Sequence, residues 1–78
     1  MTVAAFILIK ILGGDNRSIL KKFKAMPEVV ESYILFGAWD LIIHAEFADN
    51  EAMSNFVVDK IKTVEGVGET QTNICASK

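Results

Sequence analysis

The nine residues from Val3 to Ile11 constrain this chain more than any others. Only Lys10 among them is polar, and the rest are apolar at odd and even positions alike. The run is too short, and too rich in β-branched and aromatic residues, for a buried helix, so it reads as a strand. A strand half exposed to water alternates apolar with polar residues. One that is apolar on both faces is central and covered on both sides. The chain has 78 residues with which to build those covers. A domain of that size buries only ~60–65% of the surface its unfolded chain exposes, and usually needs a staple. Cys75 is the only cysteine and His44 the only histidine, which excludes an internal disulfide and a Cys/His zinc site within one chain. Association with another chain is the staple that remains.

The rest of the chain supplies two helices and three more strands. Gly13-Gly14 breaks the first strand, and Asp15 or Asn16 can cap a helix. Ile19, Leu20, Phe23 and Met26 then recur at helical spacing until Pro27 stops the helix. Residues 28–35 and 41–47 are apolar strands joined by the turn Phe36-Gly37-Ala38-Trp39-Asp40, a hairpin. In the second of them Leu41, Ile43, Ala45 and Phe47 face one way, and Ile42, His44 and Glu46 the other. Asp49-Asn50-Glu51 caps a helix carrying Met53, Phe56, Val57, Ile61 and Val64, which ends at Glu65-Gly66. Residues 67–76 alternate weakly and read as an edge strand, with Thr70, Thr72 and Ile74 on one face.

The order β-α-β-β-α-β makes an α+β, ferredoxin-like single domain over residues 1–78. Right-handed crossovers put both helices on one face of a four-stranded antiparallel sheet. The first strand still offers apolar residues to the other face. A second copy of the sheet is the simplest cover, giving a homodimer packed sheet to sheet.

Composition narrows the function classes. A net charge of −2 and a pI near 5.2 give no nucleic-acid footprint, and Lys21, Lys22 and Lys24 read as a solvated helix face. The apolar N-terminal run lacks a positive lead and is too short to cross a membrane, so a cytoplasmic protein without membrane contact is expected. Gly13-Gly14 fits no phosphate-loop pattern, and no cofactor or metal is implied.

Individual residues carry two readings each. Asp40 can meet an ammonium group, or bond to its own turn. Trp39 can wall a ligand or anchor an interface. Gly37 suits a positive φ, whatever the function. His44, with Glu46 or Tyr33, is the sole candidate for a general base, yet no nucleophile stands in a recognisable pattern around it. Thr70 and Thr72 can donate hydroxyls to a carboxylate, or are simply good strand residues. Cys75 has no activating neighbour.

Taken together, two stretches resemble the Lrp/AsnC (feast/famine) transcription regulators. One is Phe36-Gly37-Ala38-Trp39-Asp40-Leu41-Ile42-Ile43, similar to that family's Gly-x-aromatic-Asp turn. The other is Ile61 through Thr72, with Gly66-Val67 followed by Thr70-Gln71-Thr72. The likeness covers the C-terminal ligand-binding domain, without the helix-turn-helix, as in stand-alone versions. It implies an α+β domain that dimerises through its sheets, assembles further into rings of dimers such as octamers, and binds an amino acid or similar metabolite between dimers. Gly37, Ala38, Trp39 and Asp40 would then supply backbone amides and one carboxylate, and Thr70 and Thr72 hydroxyls. Trp39 stands where the family commonly has Tyr or a smaller residue, and it narrows or fills the pocket. A full-length Lrp/AsnC regulator is the implied protein partner. The competing readings are a small dimeric α+β barrel enzyme using His44, and an amino-acid-binding module of the ACT kind.

Overall fold

The computed structural model describes residues 2–76. Strand β1 (Val3–Ile11) lies inside a four-stranded sheet of order β2-β3-β1-β4, between β3 (Leu41–Phe47) and β4 (Val67–Ile74). Strand β2 (Val29–Ile34) is the other edge. All three pairings are antiparallel. The expected order of elements and the edge position of β4 are both observed.

Register explains where the core sits. Ala5, Ile7 and Ile9 stand opposite Ala45, Ile43 and Leu41, so they share a face, and all six are fully buried. Ile19 and Phe23 of α1 (Asn16–Lys24), with Phe56 of α2 (Asn50–Phe56) and the nearby Ile61, pack on that face in one cluster. Each buried Ile, Leu or Phe contributes about 1.5–3 kcal/mol relative to exposure. The helices begin where the caps predict: Asp15 Oδ1 accepts from the Arg17 amide and Asp49 Oδ1 from the Ala52 amide.

The second helix differs from the single helix expected. After Phe56 it widens into a π-helical turn, Val57–Ile61, in which the Lys62 amide donates to the Val57 carbonyl at 3.0 Å. Phe56 and Ile61 are five residues apart, too far around an ordinary helix to share one face. The wider turn brings both into the core.

The opposite sheet face carries Ala4, Phe6 and Leu8 from β1, Ile42, His44 and Glu46 from β3, and Glu31 and Tyr33 from β2. Within one protomer nothing among the described residues covers it, and Phe6 is 41% exposed. The central position expected for β1 is therefore observed, with helices on one of its faces.

Candidate functional site

Because β1 runs antiparallel to both neighbours, its C-terminal end lies beside the starts of β3 and β4. Three connections therefore converge at one end of the sheet: residues 12–15, 35–40 and 62–66. Asp40 ties two of them together. Its amide donates to the Ile9 carbonyl at 3.0 Å, and its Oδ2 accepts from the Ile11 amide at 2.7 Å. Its carbonyl accepts from the Leu35 amide at 2.8 Å, closing the hairpin. The carboxylate that the sequence offers as a ligand partner or a turn-forming group thus has one oxygen committed to the neighbouring strand. Only a long-range contact of this kind, invisible in local spacing, could have assigned it.

The rest of the turn is open. Gly37 has φ +156°, a conformation that side chains rarely adopt, and space around it is free. Phe36 beside it is fully exposed, and Trp39 is half-buried. Ala38 is exposed between them.

Gly66 joins the first and third connections. Its φ is +94°, a Cβ there would collide with the Gly13 carbonyl, and its own carbonyl accepts from the Leu12 amide at 2.7 Å. The β4 backbone then slips register between the pairs Ile9–Thr70 and Ile11–Val67. Thr70 and Thr72, half-buried, stand opposite Ile9 and Ile7, and so do share a face. The turn and the threonines flank β1 from opposite sides, two strand spacings or ~10 Å apart. Neither the cleft beside residues 12–22 nor the one along residues 24–33 is lined by the turn or by the threonines.

His44 lies elsewhere, on the open sheet face. Its ring stacks on Phe6, its cross-strand neighbour, with centroids 4.8 Å apart and planes at 16°. Its Nδ1 is 3.8 Å from Glu31 Oε1, so the nearby carboxylate comes from β2 and not from Glu46. Tyr33 donates its hydroxyl to Glu31 Oε2, and this bond pushes the phenol's pKa up. The group forms part of an exposed sheet surface, and His44 lines neither the cleft beside residues 12–22 nor the one along residues 24–33.

A family model described as the Lrp/AsnC ligand binding domain matches residues 4–78. The chain belongs to this family. It is 35% identical over 72 residues to the HTH-type transcriptional regulator FL11 of Pyrococcus furiosus, which covers 92% of this chain and 47% of FL11. The chain spans about half the length of the curated relatives it matches, which are named as transcriptional regulators. Among solved structures, FFRP-DM1 superposes with a TM-score of 0.89 at 36% identity, covering 94% of this chain and 97% of that one. The transcriptional regulator NMB0573 of Neisseria meningitidis, solved as a complex with L-Met, superposes with a TM-score of 0.87 at 29% identity, covering 97% of this chain and 51% of that one. As a Lrp/AsnC ligand-binding domain, the chain has the β-α-β-β-α-β sandwich and antiparallel sheet of these neighbours. No helix among the described residues is long and apolar enough to cross a membrane.

Proposed function

We propose that this Lrp/AsnC domain senses an amino acid or similar small zwitterion, held between two dimers by Gly37, Ala38, Trp39 and Asp40 of one chain and Thr70 and Thr72 of another. The match of residues 4–78 to a ligand-binding domain carries this reading. The L-Met complex of a similarly folded regulator supports the ligand class. Geometry supports the shared location, because β1 separates the turn from the threonines within one protomer. A zwitterion buried in such a junction needs a partner for each charge. The free oxygen of Asp40 takes the ammonium, while the amides around Gly37 and the threonine hydroxyls take the carboxylate.

The dimer forms through the open sheet face, where Phe6, Leu8 and Ile42 lose water against the same residues of a second copy. Dimers then assemble into rings. Ligand at the junction shifts that equilibrium by no more than its difference in affinity for the two assemblies. The shift passes to whichever DNA-binding half the domain is joined to or assembles with, such as a full-length relative. The test is a calorimetric titration with each of the twenty amino acids, repeated on the Thr70→Val, Thr72→Val double variant. A saturable heat lost in that variant supports the site. Twenty flat titrations, with no change in thermal midpoint, sink it.

A further inference from the structure

We propose that the cleft between residues 12–15, α1 and Glu65-Gly66 is a second small-molecule site, taking an apolar amino acid within a single protomer. The cleft has a volume of about 560 Å³ and is lined by Leu12, Ser18, Ile19, Lys22 and Glu65, with Asp15 and the backbone of Gly13, Gly14 and Gly66. Backbone contacts tie one edge of it together. The Leu12 amide is bonded to the Gly66 carbonyl at 2.7 Å, and Gly66 lies so close to Gly13 that no Cβ fits between them.

The charges on those walls define the ligand class. Lys22 and Glu65 both line the cleft, yet they make no ion pair with each other. Asp15 is already occupied, accepting from the Arg17 amide at 3.2 Å and from the Ser18 hydroxyl at 3.0 Å, so the end of α1 is satisfied without a ligand. A simple anion would be attracted by Lys22 and repelled by Asp15 and Glu65. A simple cation would meet the reverse conflict at Lys22. A zwitterion satisfies both walls, with its carboxylate towards Lys22 and its ammonium towards Glu65. The apolar part follows from Leu12, which is 80% exposed at the cleft, beside the buried Ile19. An aliphatic side chain laid on Leu12 removes that surface from water. Leu12 also follows Ile11, whose amide Asp40 holds at the root of the β2–β3 turn.

This site shares no side chain with the one between dimers, and the test separates the two. Amide chemical shifts are followed while L-leucine and L-methionine are titrated into the whole chain. Two single-charge analogues, L-methioninol and 4-methylvalerate, are titrated in parallel. The expected result is saturable movement of amides in residues 12–22 and 65–66. The analogues bind about tenfold weaker or worse, and Lys22→Gln and Glu65→Gln each weaken binding to a similar degree, as loss of one charge-assisted partner implies. The Thr70→Val, Thr72→Val double variant leaves these shifts unchanged. Both charge substitutions are on exposed side chains, and an unchanged thermal midpoint confirms that they fold. Movement confined to residues 37–40 and 70–72 overturns the cleft while leaving the site between dimers standing. Cleft shifts indifferent to both charge variants, or absent with either amino acid, overturn it as well.

Discussion

Asp40 accepts the Ile11 amide through its carboxylate and spans the gap between the β2–β3 turn and the end of β1. A hydrogen bond to a charged group contributes about 1.5–3 kcal/mol. Asp40→Ala is therefore expected to lower unfolding free energy in urea by about that amount. Asp40→Asn keeps an acceptor oxygen in the same place, and is expected to recover most of the loss. Equal losses in the two variants would remove the Ile11 bond from the account. Gly66 is held twice, by a φ of +94° and by the Gly13 carbonyl. Gly66→Ala is expected to cost at least ~2 kcal/mol, since a left-handed conformation alone costs a side chain ~1–2 kcal/mol. Gly13→Ala meets nothing within 4 Å and serves as the control. Both roles lay beyond the sequence for one reason. Asp40 and Ile11 are 29 residues apart, and Gly66 reads locally as an ordinary helix terminator.

At the scale of elements, local chemistry left clear marks. The caps at Asp15 and Asp49 and the alternation of Leu41 to Phe47 correspond to what folds, whereas α1 ends at Lys24, before Met26 and Pro27 are reached. The π-helical turn did not show, because Phe56, Val57, Ile61 and Val64 fit an ordinary helix nearly as well. Only the competition of Phe56 and Ile61 for one core face decides it. That turn also places Lys60 Nζ 2.9 Å from Glu28 Oε2, at the foot of β2. The Lys60 hydrogen bond is the largest influence on Glu28, and it lowers the carboxyl's pKa despite partial burial. A group whose pKa is lower folded than unfolded adds stability above its ordinary carboxylate value, and loses it as pH falls through the folded value. Lys60→Met is therefore expected to destabilise the domain near neutral pH and to match the parent once Glu28 is protonated. Chemical denaturation at a series of pH values from about 7 downward checks this, and a destabilisation that stays constant as pH falls would contradict it.

For the whole molecule, the first strand carried the information. Residues apolar on both faces of β1 fit helices on one side and demand a cover on the other, and Phe6, Leu8 and Ile42 still face outward in the protomer. Phe6→Glu places a charge in that cover. It is expected to yield a folded monomer by light scattering where the parent forms dimers or multiples of dimers; an unchanged assembly would move the interface elsewhere. The fold and the family were legible because both rest on patterns along the chain. The proposed pocket appears along the chain only as a set of residues, because a closure between copies leaves no mark in one sequence. Native mass spectrometry of the domain, with and without a pooled mixture of the twenty amino acids, tests the central claim most directly. Assemblies in multiples of two are expected, gaining the mass of one amino-acid species and redistributing in size when it binds. Identical spectra with and without the mixture would contradict it.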